Sequence, residues 1–314
     1  GLATEAEAPG ADATQADRPV VLLVMGLGMQ LIAWTPDFVL PLVGGGFRVI
    51  RMDNRDIGLG QGFDHAPRRN MLWQMLRRKL GLPTQAPYTL QDMADDALGV
   101  LHALGVARAH VVGASMGGMM AQRMAATAPA RVLTLASIMS SSGAPGLPGP
   151  DPLIARALFR PPPARNEEAL TEFSLQFIRL IASPAYPFDE TALRARLVLG
   201  LRRGYRPAGL MRQMLAVGAD TRRADVLGQI TCPTLVLHGE ADRLVPIACG
   251  RDPARRIAGP RFVGIPGMGH DLPPGVAEIL LGHLIPFMQA AQGSPRAAAS
   301  DADGTAVHST ENLS

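Results

Sequence analysis

Cysteine, lysine and aromatic residues are all scarce in this 314-residue chain. Its two cysteines, Cys232 and Cys249, are too few for a disulfide framework, and their separation matches no metal-ligand spacing. Lys79 is the only lysine, and aromatic residues make up 4% of the sequence, so the formal net charge of +3 rests on scattered arginines. This composition disfavours a nucleic-acid partner, which selects for clustered basic side chains.

Long apolar segments and secretory signals are also missing. No apolar run approaches the roughly 20 residues that a membrane span requires. The N-terminal stretch is rich in alanine and acidic residues, without the basic and then apolar regions of a signal peptide. We therefore predict a disordered leader over residues 1–18 and a cytoplasmic location, which the sparse cysteines also favour. Because the sequence begins at Gly1 rather than at methionine, export from a processed precursor stays an alternative.

Short apolar runs alternate with helical patterns along much of the chain. The clearest helix begins after Thr89, a predicted N-cap with Asp92 three residues later, and stops at Gly105. A final helix is predicted over residues 275–291. Alternating strands and helices predict a mostly parallel, doubly wound sheet with helices on both faces. The runs typical of buried strands are residues 20–25, 48–52, 109–113, 132–139, 233–239 and 261–267.

The alternation breaks between Ser141 and about Gly228. A segment rich in proline and glycine is followed there by amphipathic helical patterns without a convincing strand. The 47% hydrophobic content of the chain is enough for one large core. We predict a core of residues 19–140 and 229–291, a helical cap of residues 141–228, and a disordered, low-complexity tail over residues 292–314.

Residues 113–117 spell G-x-S-x-G, with Ser115 at the centre. A buried strand enters this motif and a helix of small residues leaves it, which forces the serine into a strained turn and lifts its hydroxyl clear of the sheet. The alternative is a glycine-serine turn that only starts a helix. The strand-turn-helix context favours Ser115 as a nucleophile.

A serine hydroxyl becomes a good nucleophile when a base removes its proton and a third group orients the base. In doubly wound sheets such groups lie in loops at the carboxyl ends of later strands. Asp242 follows one predicted strand and His270 follows the next. We predict Asp242 as the acid and His270 as the base. The rivals are Glu240 and Asp271 for the acid and His65 for the base.

Acyl transfer also needs hydrogen-bond donors for the developing oxyanion. The glycine-rich loop after the first predicted strand supplies the amide of Leu27, and the residue after the nucleophile supplies the amide of Met116. The alternative for Gly26 and Gly28 is a dinucleotide-binding turn. Leu31 stands where the third glycine of that turn belongs, which argues against it.

The stretches GLGMQLIAW, RMDNRDIGLG, AHVVGASMGGMMAQ, LVLHGEADRLVP and IPGMGH together resemble the α/β-hydrolase superfamily. Within it, they resemble the bacterial serine esterases near aclacinomycin methylesterase and the cofactor-free haloperoxidases. The resemblance covers most of residues 19–290 and is weakest in the cap. It implies the α/β-hydrolase fold, with the cap inserted before the strand that carries the acid, and the same triad and oxyanion hole.

The resemblance also accounts for a loop after the second predicted strand. Asp53, Arg55, Asp56 and Gly58 match the superfamily's D-x-R-x-x-G loop, which is usually structural and close to the site. Gly60 departs from the pattern, because many relatives have serine there.

These residues predict a serine carboxylic-ester hydrolase that acts on small-molecule esters of short to medium acyl chains, without a metal or organic cofactor. The alternatives are a cofactor-free perhydrolase or haloperoxidase with the same triad, and a ligand-binding protein without catalysis. No oligomeric state is predicted. Candidate walls of a mainly apolar substrate pocket are Met29, Trp34, Phe38, Met119, Phe159, Phe173, Phe177 and Met214.

Overall fold

The computed structural model describes residues 4–6, 18–66, 69–70, 73–74, 76–77 and 80–292. The strands are β1 Thr4–Ala6, β2 Val20–Val24, β3 Arg48–Arg51, β4 Ala109–Ala114, β5 Val132–Ile138, β6 Thr234–Gly239 and β7 Arg261–Ile265. The core helices are α1 Pro36–Gly44, α2 Leu90–Ala103, α3 Met116–Thr127, α9 Ile247–Arg256 and α10 Pro274–Gln292. Between β5 and β6 lie α4 Pro152–Leu158, α5 Glu167–Ile181, α6 Glu190–Gly204, α7 Pro207–Ala219 and α8 Arg223–Val226.

One sheet organises the molecule, in the strand order β1-β3-β2-β4-β5-β6-β7. Strands β2 to β7 are parallel, so the predicted mostly parallel, doubly wound sheet is confirmed. All six begin and end within two residues of the predicted runs. Strand β2 pairs with β3 on one side and with β4 on the other. The direction in which successive strands are added to the sheet therefore reverses between β2 and β4. Such a switch point opens a crevice at the carboxyl ends of the strands.

The edge strand β1 shows that the prediction of a disordered leader was wrong for residues 4–6. Residues 4–6 lie in the leader predicted as disordered, yet they pair antiparallel with β3, Thr4 opposite Arg51 and Ala6 opposite Val49. An edge strand pairs through main-chain N–H and C=O groups that the neighbouring strand leaves open, so it requires no apolar pattern. The remainder of the predicted leader up to residue 17, and the predicted tail from residue 293 onward, lie outside the described residues.

Two apolar layers cover the sheet. Helices α2 and α3 pack on one face, and α1 and α10 pack on the other. Helix α2 begins as predicted: the Thr89 side chain accepts from the Asp92 amide, the Asp92 side chain accepts from the Thr89 amide, and Gly105 beyond its end has a φ of 68°. Its buried stripe consists of Leu90, Met93, Ala94, Ala97 and Leu101.

The five helices between β5 and β6 lie where a helical cap is predicted, and no strand occurs among residues 141–228, all of them described. Its α7 is fastened to the core by Arg212, which donates two hydrogen bonds of 2.7 Å to the buried Asp56 carboxylate. The Tyr88 hydroxyl also donates to Asp56, at 2.9 Å. Burial alone would raise the pKa of Asp56, but the hydrogen bonds from Arg212, the Phe63 amide and Tyr88, with the charge of Arg212, together outweigh burial and hold the pKa below its usual range.

Acid stability is expected to depend on His110, a fully buried histidine on β4. Its Nδ1 lies 2.9 Å from Thr134 Oγ1, and burial, with a smaller effect of Arg108, lowers its pKa to about 4. The unfolded chain protonates this histidine below about pH 6.5, and the folded chain does so only near pH 4. Protonation therefore favours unfolding as the pH falls through this window, at a cost of about 3 kcal/mol.

The measurement is the free energy of unfolding by urea at about pH 7 and about pH 4, for the wild type and His110→Gln. Because all other titrating groups are common to both proteins, the variant is expected to lose about 3 kcal/mol less on acidification. Equal losses would contradict the assignment.

Candidate active site

Ser115 lies on a sharp turn between β4 and α3, with φ 55° and ψ −119°. A side chain at Gly113 would place its Cβ 2.2 Å from the Gly117 carbonyl oxygen, and one at Gly117 would place its Cβ 2.1 Å from the Val24 oxygen. Glycine is therefore required on both sides of the serine, because strand, helix and the neighbouring β2 approach too closely for a Cβ. The predicted strained elbow is present at the switch point of the sheet.

The structure brings Ser115, His270 and Asp242 together. Ser115 Oγ lies 2.9 Å from His270 Nε2, and His270 Nδ1 lies 2.6 Å from Asp242 Oδ2. Both the imidazole and the carboxylate are buried, whereas Ser115 keeps partial exposure. This arrangement lets a serine hydroxyl donate to an imidazole that is itself oriented by a carboxylate.

Main-chain amides fix the carboxylate of Asp242. Its Oδ1 accepts from the amides of Leu244 at 2.9 Å and Val245 at 2.8 Å, which leaves Oδ2 for the imidazole. His238 Nε2 donates to the Val245 carbonyl at 2.7 Å and stays 3.6 Å from Asp242 Oδ2. Burial lowers the pKa of His238, so this histidine is neutral near pH 7 and supports the loop.

The rival residues are engaged elsewhere. Asp271 accepts from the Ser183 amide at 2.8 Å and from the Ser183 hydroxyl. Glu240 and His65 are exposed, and the His65 ring packs 5.7 Å from that of Phe63. Among the described side chains, Asp242 is the carboxylate that hydrogen-bonds to the His270 ring.

The glycine-rich loop after β2 passes directly beside the nucleophile. A Cβ on Gly26 would lie 3.1 Å from Ser115 Cβ. Within the described part of the chain, the amides of Leu27 and Met116 have no hydrogen-bond acceptor. Met116 is the first residue of α3, where main-chain N–H groups have no partner within the helix. One unsatisfied donor thus directly follows Ser115 and a second follows Gly26, and the oxyanion hole formed by these two amides stays a prediction.

Cap residues outside every predicted motif hold two of the loops that form the site. Gln213 on α7 is fully buried, accepts from the Gly28 amide at 2.9 Å and donates to the Arg55 carbonyl at 2.8 Å. At the end of α5, the Ile181 carbonyl accepts from the His270 amide at 2.7 Å. The available signal was the polar pair Arg212 and Gln213 inside an otherwise apolar helix.

The D-x-R-x-x-G loop is close to the site and structural, as the resemblance implied. Asp53 accepts from the amide of Leu31 at 2.8 Å and of Leu59 at 3.0 Å, and it pairs with Arg203 of the cap. A Cβ on Gly60 would lie 2.3 Å from the Asn54 carbonyl oxygen. The serine of many relatives therefore does not fit this loop without a shift of its backbone.

A cavity of about 250 Å³ lies between α3, the loop after β5, the cap and the loop that carries Asp242, and its lining residues do not include Ser115, Asp242 or His270. Met119, one helical turn after Ser115, is the predicted pocket residue that lines it. Leu244 and Val245, whose amides donate to Asp242, also line the cavity. The remaining walls are Ser141, Gly143, Pro148, Pro150, Val217, Gly218, Asp220, Thr221, Arg223 and Cys249.

Other predicted pocket residues lie elsewhere. Trp34 and Phe38 are fully buried, with ring centroids 4.7 Å apart, in the core layer of α1 and α10, so they line no accessible pocket in this structure. Met29 and Phe159 are exposed. Apolar character does not distinguish a core residue from a pocket wall, which explains the difference. The half-buried members of the prediction are Phe173, Phe177 and Met214.

The described residues include no group of three or more histidine, cysteine, aspartate or glutamate side chains arranged to hold a metal ion. None of the helices placed by the structure has the length and apolar character that crossing a bilayer demands.

Comparisons with known proteins agree with this architecture. The α/β hydrolase fold family matches residues 19–273. Rhodomycin D methylesterase from Streptomyces sp. (strain C5) is 31% identical over 295 residues, which cover 88% of this chain and 92% of the relative. A hydrolase from Pseudomonas aeruginosa PA01 has 26% identity and a TM-score of 0.63, over 91% of this chain and 93% of its own.

The enol-lactonase from Burkholderia xenovorans LB400 has the same fold, with a TM-score of 0.64 at 20% identity, over 92% of this chain and 96% of its own. The family match spans most of the chain and includes the loops that carry Ser115, Asp242 and His270. The chain therefore belongs to the α/β hydrolase fold family and is an enzyme of the hydrolase class.

Proposed function

We propose that the protein is a serine carboxylic-ester hydrolase that works through an acyl-enzyme. The observation that carries the proposal is the hydrogen-bonded series from Ser115 Oγ to His270 Nε2, at 2.9 Å, and from His270 Nδ1 to Asp242 Oδ2, at 2.6 Å. Such a series converts a weakly nucleophilic hydroxyl into one that attacks an ester carbonyl.

The proposed reaction has two halves. Ser115 Oγ bonds to the ester carbonyl carbon while His270 Nε2 takes its proton, and the amides of Leu27 and Met116 stabilise the oxyanion. His270 then returns the proton to the departing alcohol, which leaves the acyl group on Ser115. A water molecule, deprotonated by His270, releases the acid by the same steps. Asp242 holds the imidazole in the tautomer with a proton on Nδ1.

The proposed substrates are small-molecule esters with short to medium acyl groups. A cavity of about 250 Å³, lined by Met119 and by Leu244 and Val245 of the loop that carries Asp242, supports this size range, because pockets for larger ligands extend to about 1,000 Å³. One relative is named rhodomycin D methylesterase. Because that name describes a methyl ester as the substrate, we include methyl esters in the proposed range.

The test is a series of p-nitrophenyl esters from acetate through dodecanoate, with methyl esters of the same acids beside them. Values of kcat/KM that peak at short or medium acyl chains would support the proposal. A maximum at dodecanoate, or inertness toward every ester, would refute it. Peracid formation from acetate and hydrogen peroxide, without ester turnover, would point to the perhydrolase alternative.

Gln213→Leu is expected to lower kcat by about 10- to 100-fold while KM changes by less than about threefold. The substitution removes the acceptor of the Gly28 amide, so the loop that carries the Leu27 donor loses its hydrogen bond to α7 and keeps only those of Gln30 to α6. Small displacements of such donors are costly. Steady-state kinetics with p-nitrophenyl butyrate measure the effect.

The matched control is Gln176→Leu, the same replacement at an exposed position of α5. It should leave both kinetic constants unchanged. Since Gln213→Leu also leaves buried main-chain groups unpaired, urea unfolding must show that the variant is folded under assay conditions. A rise in KM with unchanged kcat would contradict a role for Gln213 in positioning the oxyanion loop.

A further inference from the structure

Large apolar side chains are concentrated on the surface between residues 73 and 82. Trp73 and Leu80 are 53% and 64% exposed, and Leu76 and Leu82 are exposed to a similar degree. Single exposed apolar residues are common on proteins, but four within ten residues form a patch, and such patches mark interaction sites. We use the name exposed segment for residues 69–82, of which the structure describes 69–70, 73–74, 76–77 and 80–82.

In the exposed segment, apolar side chains face solvent and a polar side chain is buried, the reverse of the usual arrangement. Trp73 and Leu76 are helical, and the Leu80 amide donates to the Leu76 carbonyl at 3.0 Å, so the spacing of three and then four residues places all three side chains on one face. Gln74 is 3% exposed, and its side chain accepts from the Gln85 amide at 2.8 Å. The polar residue thus faces the protein, and the apolar face lies toward solvent.

The stretch of sequence that contains these apolar residues carries charge of a single sign. No aspartate or glutamate occurs from residue 65 to residue 91. The only lysine of the chain falls in the same stretch. Its basic residues are Arg68, Arg69, Arg77, Arg78 and Lys79. A tryptophan and leucines beside a concentration of basic residues are the composition of helices that lie in the interface of an anionic membrane.

We propose that the exposed segment binds the surface of an anionic lipid bilayer, with Trp73, Leu76 and Leu80 inserted among the headgroups and the basic residues near the lipid charges. A second copy of this chain fits the patch less well, because a symmetric contact would bring basic stretches against each other. Nucleic acid would leave the leucines without an apolar partner. The inference concerns a surface outside the triad and does not depend on the proposed reaction.

The test is sedimentation of the full chain with vesicles of phosphatidylcholine alone and of phosphatidylcholine mixed with an equal part of phosphatidylglycerol. Binding is expected to the anionic vesicles and to weaken with added salt. Trp73 is exposed and Trp34 fully buried, so tryptophan emission should shift to the blue and resist acrylamide quenching on binding. Trp73→Ser with Leu76→Ser should weaken binding by at least about tenfold.

Arg78→Glu with Lys79→Glu should weaken binding by at least about 25-fold, since each basic side chain near an anionic surface contributes about fivefold in affinity. The matched control is Leu40→Ser with Leu153→Ser, two exposed leucines outside the segment. It should bind as the wild type does. No sedimentation with anionic vesicles, or binding unaffected by either segment variant, would overturn the proposal. Concentration-dependent dimerisation lost in both segment variants, without lipid binding, would identify a second copy instead.

Discussion

Replacement of Ser115 by alanine is expected to lower kcat for ester hydrolysis by about 10⁵- to 10⁶-fold. The hydroxyl is the only group removed, and without it no acyl-enzyme forms, although the oxyanion donors and the substrate site stay in place. KM or ligand binding should therefore change little. Active-site titration with a fluorophosphonate probe should label the wild type once and leave Ser115→Ala unlabelled.

The stability of the Ser115→Ala variant should match that of the wild type, because alanine meets the same backbone strain at a φ of 55°. Ser174→Ala is the matched control: its hydroxyl donates to the Leu170 carbonyl within α5, away from the triad. It should keep full activity. Residual hydrolysis by Ser115→Ala above about one hundredth of the wild-type rate would identify another nucleophile.

The core of the fold could be predicted because its signals are local. Buried parallel strands appear as apolar runs, and the G-x-S-x-G motif needs glycine at 113 and 117 for a close approach that the structure places near 2 Å. Asp242 and His270 could be selected because the loops after the last two strands converge at one edge of a parallel sheet. Strand order and chain order together bring these distant residues to hydrogen-bond distance.

Contacts between cap and core could not be predicted in the same way. Gln213 meets Gly28 across 185 residues of sequence, and no periodic pattern records such a pairing. The pocket shows the same limit, since Trp34 and Met119 are both apolar and only the packing of the sheet makes one a core residue and the other a cavity wall. Strand β1 was missed because main-chain pairing at an edge leaves no trace in side-chain type.

Asp242→Asn is expected to lower kcat by about 10⁴-fold with little change in KM. The asparagine amide preserves the shape of the side chain, yet it cannot stabilise the imidazolium that forms when His270 takes the proton of Ser115, and it favours the wrong tautomer. Oδ1 of Asp242 accepts two main-chain amides, so a side-chain NH₂ group has to occupy the position that faces His270 Nδ1. Steady-state kinetics across the neutral pH range measure this loss.

Glu240→Gln and Asp271→Asn are the matched controls, because each makes the same change at a rival carboxylate. Glu240 is exposed, and its variant should retain wild-type kcat. Asp271 accepts from Ser183, which in turn accepts from the Gly269 amide beside His270, so its variant should lose stability and far less than 10⁴-fold in kcat. If Glu240→Gln or Asp271→Asn lowered kcat as much as Asp242→Asn does, that residue would be identified as the acid of the triad. The 2.6 Å contact with His270 Nδ1 argues for Asp242.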